Sequence, residues 1–191
     1  LFRSQAIKRL QHEVGVLNRL SHVAGVVKLA AKPNDRTSIA LKDDGAIALA
    51  ALLKERKLSV AQCVDYAIGV AGILAQVHKA GILHKDIGPQ NLLIHPETLA
   101  PTLFDFNIAG EVGQQKDSVE ADGALAGTLA YMSPEQTGRT GRAADQRSDL
   151  YSLGATLFEV LTGRKLFESE DLLELIHDHL VRIPDAPARV N

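Results

Sequence analysis

His84-Lys85-Asp86-Ile87-Gly88-Pro89-Gln90-Asn91-Leu92-Leu93-Ile94 places an acid, and five residues later an amide, in a tight loop between two apolar segments. Fourteen residues beyond the amide stands a second acid, in Leu103-Phe104-Asp105-Phe106-Asn107. Asp, Asn and Asp are oxygen ligands and proton acceptors, a set suited to Mg²⁺ and a phosphoryl group. A lone Asp in a loop is most often a turn or cap residue. The ordered spacing of all three is what points to chemistry.

Outward from this loop, Ile82-Leu83 and Leu92-Leu93-Ile94 read as short strands, and Thr102–Phe104 as a third. Upstream, Ser59 to Ala80 is the clearest helix. Ser59 and Gln62 fit a capping box, Val60, Val64, Ala67, Val70, Leu74 and Val77 form the expected buried face, and Gly81 ends it. Before it, Ile47 to Lys54 reads as a short apolar helix, and Lys42-Asp43-Asp44-Gly45 as a connector or hinge. Val26 to Ala31 and Thr37 to Leu41 read as strands joined by the turn Pro33-Asn34-Asp35, a small sheet at the front. Ser4 to Leu20 forms a first helix with Ile7, Leu10, Val14 and Leu17 on one stripe. At 100° per residue Glu13 falls inside that stripe. Two readings stand: a buried carboxylate that needs a cation or a proton, or an edge residue that reaches water.

Downstream, residues 109–126 are rich in Gly, Gln and acids and read as a surface loop. Asp149 to Leu161 reads as a buried helix carrying Leu150, Leu153, Leu157, Phe158 and Leu161, stopped by Gly163. Ser169 is the expected cap of a last helix reaching about Leu180, followed by Pro184 and Pro187. His177 and His179 do not share a helix face, so favourable charge near a helix end is expected of them rather than metal binding. Helix, strands, then mostly helices is the order of an α+β fold.

The chain has 191 residues, 46% of them apolar, enough for one sizeable core. A net charge of −2 offers no basic surplus for nucleic acid. One cysteine, Cys63, excludes an internal disulfide framework, and a core position is expected for it. No uninterrupted apolar run approaches a membrane span, and no basic-then-apolar leader is visible. The expectation is a cytoplasmic chain whose natural start lies upstream of Leu1.

These motifs together resemble the eukaryotic-type Ser/Thr protein kinases. The catalytic-loop pattern H-R-D-x-x-x-x-N corresponds to His84-Lys85-Asp86 and Asn91, D-F-G to Asp105-Phe106-Asn107, and A-P-E to Ser133-Pro134-Glu135. The resemblance implies a partial first lobe (1–41), a hinge (42–45) and a mostly helical second lobe (46–191) without its last helices. It implies ATP and Mg²⁺ as cofactors. Asp86 would orient or deprotonate the substrate hydroxyl, and Asn91 and Asp105 would hold the metal. Lys42, Asp43 and Asp44 would lie near adenine, with Leu41 behind it and Leu93 beneath. Thr128, in Gly127-Thr128-Leu129-Ala130-Tyr131-Met132, would steady the catalytic loop, and Asp149 would brace it from a central helix. Glu13 sits where the first-lobe helix carries the Glu that pairs with the ATP-binding Lys. The wording Ser133-Pro134-Glu135-Gln136-Thr137-Gly138-Arg139 is similar to kinase modules of large bacterial signalling proteins. That implies a protein substrate and fused or associated signalling domains.

The chain also departs from the pattern. It starts at the Glu-bearing helix, so the Gly-rich loop and the ATP-binding lysine that would precede it are outside it. It stops before the helices that supply an Arg to the residue matching Glu135. Gly88 stands where a Lys would contact the transferred phosphate, Asn107 replaces a Gly, and Lys85 replaces an Arg. Asn tolerates the left-handed backbone region that such a Gly would use. Ser118 is the one candidate phosphosite between Asp105 and Gly127. Little or no catalysis is expected of these residues alone. The alternative reading is a pseudokinase-like module that binds nucleotide or a partner without phosphotransfer; a small-molecule kinase of related fold is a third.

Overall fold

The computed structural model describes residues 2–30, 38–112 and 129–190. The expected turn Pro33-Asn34-Asp35, the candidate phosphosite Ser118 and the candidate loop-steadying Thr128 lie outside the described residues.

Helix α1 spans Phe2–Arg19. Its inward face carries Glu13, Val16 and Leu17, followed by Leu20, while Val14 is half-buried. Glu13 is therefore buried, and the reading that it reaches water is set aside. Lys28 closes the helix end by donating its ammonium to the carbonyls of Leu20, Ser21 and Val23, orphan acceptors of the kind every helix end leaves.

Among the described residues, the sheet expected at the front is represented by two single bridges. Leu29 meets Leu41 antiparallel and Val26 meets Leu103 in parallel. The ordered strands come later. β1 (Ile47–Ala48), β3 (Leu92–Ile94) and β4 (Pro101–Leu103) form an antiparallel sheet in the order β1-β3-β4. β2 (Ile82–Leu83) pairs with β5 (Gly110–Glu111). The segment expected to be one short helix thus opens as a strand before α2 (Leu49–Glu55).

α3 (Val60–Lys79) starts on the expected capping box: Gln62 N–H donates to Ser59 Oγ and Ser59 N–H to Gln62 Oε1. Its buried face is Cys63, Tyr66, Val70, Ile73, Leu74 and Val77. Val60 and Val64, expected inside, are 66% and 49% exposed. By length and mean hydropathy α3 would suffice to cross a membrane, the one such helix among the described residues. Here its inward face packs on α4 (Gln146–Thr162) and on β4 as a core helix.

α4 begins three residues earlier than expected, at Gln146, because Asp145 caps it and accepts the Arg147 N–H. Gly163, at φ 72°, supplies the left-handed stop. Its inward face is Ser148, Asp149, Ser152, Leu153, Ala155, Thr156 and Val160, whereas Leu150 is 51% exposed. Ser152 and Thr156 donate their hydroxyls to the carbonyls one turn back, so small polar residues are buried without orphaned groups.

α5 (Leu172–Val181) is capped by Asp171, which accepts the N–H groups of Leu173 and Glu174. The expected cap Ser169 instead accepts from Asp171 N–H. A short α6 follows at Pro187–Val190 and packs on α4. His179 is not the helix-end charge expected. It is buried, with Tyr151 Oη 2.8 Å from its Nδ1 and Phe167 edge-on at 5.1 Å, and burial pulls its pKa down.

Candidate active site

The loop 84–91 is held from below by α4. Asp149 accepts the backbone N–H of His84 at 3.0 Å and of Lys85 at 2.8 Å, and His78 Nε2 lies 2.7 Å from it. A fully buried carboxylate is costly unless such donors satisfy it. Three elements thus converge on one side chain: α3, the loop and α4.

Above that brace, His84 Nε2 donates to the Phe104 carbonyl at 2.9 Å. Its Nδ1 is then the acceptor, 3.3 Å from the Asp86 N–H. The buried Phe106 ring lies 4.5 Å from the His84 ring. One histidine therefore ties the first acid's loop to the second acid's neighbours.

Asp86 and Asn91 are drawn together as their spacing suggests. Asn91 Nδ2 donates to Asp86 Oδ2 at 2.8 Å and to the Asp86 carbonyl at 2.9 Å. With Nδ2 so engaged, Asn91 Oδ1 is the oxygen left to face a ligand. Burial pushes the Asp86 carboxyl up, and Asp105 adds to it, while the His84 ring and the Asn91 amide pull it down.

Asp105 takes the left-handed conformation at φ 62° and accepts the Asn107 N–H at 3.4 Å. The expectation that Asn107 would carry the left-handed turn is corrected: the positive φ belongs to the Asp itself. Lys85, at φ 68°, is the other such residue in the site.

Glu13 reaches the site from α1 and accepts the Phe106 N–H at 3.3 Å. Its neighbour His12 has Nε2 2.6 Å from the Ala109 carbonyl. Burial pushes the Glu13 carboxyl up and Asp105 adds to this, against the Phe106 hydrogen bond and His12.

Of the residues expected around adenine, Leu41 is half-buried and packs on the main core. Lys42 donates its backbone N–H to the Lys28 carbonyl. Asp43 and Asp44 spend a carboxylate oxygen each on the N–H groups of Gly45 and Ala46, folding the turn. Leu93 lies on the β3 face opposite the buried Leu92 and Ile94, and its carbonyl accepts the Tyr66 hydroxyl.

Glu135 accepts the Ser148 hydroxyl at 2.5 Å. Gly88 faces the ring of Tyr131, whose hydroxyl donates to Glu159 at 2.5 Å. A Cβ on Gly88 would meet Tyr131 Cδ2 at 3.3 Å and Gln90 Oε1 at 3.4 Å. His78, Tyr131, Ser148 and Glu159 were not singled out from the sequence. Of these only His78 lies on a strongly patterned helix, and nothing in its spacing marks it.

Among the described residues, no group of three or more His, Cys, Asp or Glu side chains forms a metal site. A Mg²⁺ that keeps water and phosphate ligands asks for only one or two protein oxygens and needs no such group.

Comparison with known proteins bears on this geometry. The protein kinase domain family matches residues 2–189. The chain is 29% identical over 201 residues to the serine/threonine-protein kinase pkn3 of Myxococcus xanthus, covering 97% of this chain and 35% of that one. It is 34% identical over 131 residues to the probable serine/threonine-protein kinase PknB of Bifidobacterium longum, covering 69% of this chain and 19% of that one. It is 39% identical over 111 residues to serine/threonine-protein kinase PknB of Mycobacterium tuberculosis, covering 58% and 17%. The chain spans about a sixth to a third of the length of these relatives.

Proposed function

The chain belongs to the protein kinase domain family, and from that premise we propose that it phosphorylates Ser or Thr hydroxyls of a protein substrate with ATP, in bacterial-type signal transduction. The observation that carries this reading is the Asp86–Asn91 pair, joined at 2.8 Å with one carboxylate oxygen and one amide oxygen to spare. Asp86 orients the attacking hydroxyl and accepts its proton as the new O–P bond forms and ADP leaves. Its raised pKa makes it a better base than a solvated Asp. Asn91 Oδ1 and Asp105 would hold Mg²⁺, which would supply charge neutralisation on the phosphates. Leu41, Lys42, Asp43, Asp44 and Leu93 form the adenine side of the site. Phe106 and His84 keep the two acids in register, Glu13 carries α1 to the same place, Asp149 anchors the loop to α4, and Glu135 ties the turn Pro134–Thr137 to α4 through Ser148.

In this reading residues 1–41 belong to the first lobe, 42–45 to the hinge and 46–191 to the second lobe. Thr128 steadies the catalytic loop, and Ser118 is the one candidate phosphosite of the segment after Asp105, an ordinary loop serine being the other reading. A site that uses ATP works in the cytoplasm, and the greater length of the relatives favours further signalling domains on the same protein.

The test uses the full-length protein. Asp86→Asn is expected to lower transfer of labelled phosphate from ATP by about 10²–10⁴-fold, the range a positioned acid–base group contributes. Unchanged incorporation sinks the assignment.

Gly88 favours a second reading. Gly88 brings no cation to the place where a phosphate-binding Lys is expected, and the Tyr131 ring crowds that position at 3.3 Å from a Cβ, as in a module that binds nucleotide or a partner without transfer. Mg²⁺-dependent ATP binding by the full-length protein with no turnover would select it.

A further inference from the structure

We infer that Gln136 is a positioning residue for Asp86, an inference that rests on the catalytic reading of Asp86 given above. Both ends of its side-chain amide are engaged. Nε2 donates to the Lys85 carbonyl at 2.7 Å, and Oε1 accepts from the Ser133 N–H at 3.1 Å and the Ser133 hydroxyl at 2.9 Å. Gln136 lies in the 3-10 turn Pro134–Thr137, so the contact to Lys85 spans 51 residues.

Lys85 is an unusual residue to grip. Its left-handed φ of 68° is uncommon for a side chain of this length and persists only when the surroundings over-determine it. Two elements do so. Asp149 on α4 accepts its N–H at 2.8 Å, and Gln136 donates to its carbonyl at 2.7 Å. That carbonyl belongs to the peptide unit joining Lys85 to Asp86. The same unit's N–H, on Asp86, points to His84 Nδ1 at 3.3 Å. Gln136 and His84 therefore set the plane from which the Asp86 side chain departs.

The chemistry of the amide matters. A donor must face Lys85 while an acceptor faces Ser133, and only a side chain with both at this length serves. Glutamate keeps the shape and the acceptor but turns an oxygen toward the Lys85 carbonyl. Protonated glutamic acid restores a donor. Methionine keeps the volume and loses both.

The experiment compares full-length protein with its Gln136→Glu and Gln136→Met variants. In both, kcat for phosphate transfer is expected to fall at least tenfold at pH 8, with KM for ATP within twofold of the parent. The ratio of the Glu variant's kcat to the parent's is expected to rise at least fivefold between pH 8 and pH 5.5, as the new carboxyl gains its proton. A purely structural role would not move that ratio. A flat ratio, or kcat within twofold of the parent in both variants, overturns the inference.

A second measurement holds even for a protein without turnover, where the catalytic reading itself would have failed. Amide hydrogen exchange of the peptide covering Lys85 to Ile87 is expected to speed up at least tenfold in Gln136→Met. Peptides from α3 are expected to exchange at the parent rate. Unchanged exchange over 85–87 overturns the positioning role independently of activity.

Discussion

Asp149 accepts the backbone N–H of Lys85 at 2.8 Å across 64 residues of sequence. With its other oxygen on the His84 N–H and His78, this one carboxylate fastens the loop of Asp86 to the central helix. The loop's strained residue is thus held by a group that is 1% exposed. Geometry at Asp86 and stability of the core are therefore coupled.

Asp149→Ala should test that coupling. It leaves two backbone N–H groups and His78 without their acceptor, at a cost of about 1–3 kcal/mol for each buried group left unsatisfied. A loss of about 3 kcal/mol in total corresponds to a Tm lower by about 6–12 °C in a domain of this size. A melting curve within 2 °C of the parent would show that the brace is dispensable.

Glu13 should make stability depend on pH in a defined direction. Its pKa is raised above its ordinary value of 4.5, by burial first and Asp105 second. The folded chain therefore prefers the protonated form. The stabilisation is complete below 4.5 and is lost as pH rises through the folded pKa. Glu13→Gln keeps an acceptor for the Phe106 N–H and removes the charge. Its Tm is expected to exceed the parent's by about 2–4 °C at pH 8, the shift that ~1 kcal/mol produces. That gap should close as the pH approaches 4. A gap that widens on acidification would reverse the assignment.

Gly88 should resist repair. A lysine there supplies the missing cation, yet its Cβ would sit 3.3 Å from the Tyr131 ring, which Glu159 holds in place. Gly88→Lys in the full-length protein is expected to lower stability by about 1–3 kcal/mol, as overpacking does. It should leave phosphate transfer no faster than the parent. A tenfold gain in kcat would show that Tyr131 yields easily and that charge alone was missing.

The residues legible in the sequence were those whose spacing carries the information. Asp86, Asn91 and Asp105 declare themselves by order and interval, and Ser59 with Gln62 by the capping box. Apolar periodicity served less well. On α4 it selected Leu150, which is 51% exposed, because the face against the core is built from Ser148, Asp149, Ser152 and Thr156. A helix that must hold a polar loop buries polar groups, and hydrophobic pattern cannot see them. On α3 the expected Val70, Leu74 and Val77 are buried, but the first turns bury Cys63 and Tyr66 in place of Val60 and Val64. Glu13, left open by its position, is fixed by a contact with Phe106 that lies 93 residues away. Contacts of that range leave no local signal.

His179 offers the opposite pH dependence to Glu13. Burial pulls its pKa below its ordinary 6.5, against the Leu129 backbone and Asp178, which pull it up. It is the unfolded chain that binds the proton more readily, so this contribution to stability is present above 6.5 and is lost as pH falls through the folded pKa. Phenylalanine fits among Phe167 and Tyr151, whose rings already meet His179 edge-on at 5.1 and 5.8 Å. His179→Phe removes the partner of the Tyr151 hydroxyl, so at pH 8 it should be less stable by about 1 kcal/mol. It also removes the proton site. The difference in Tm between parent and variant should therefore shrink between pH 7 and pH 5, reversing if the protonation penalty exceeds the lost hydrogen bond. Parallel melting curves over that range would mean that His179 keeps the same charge folded and unfolded.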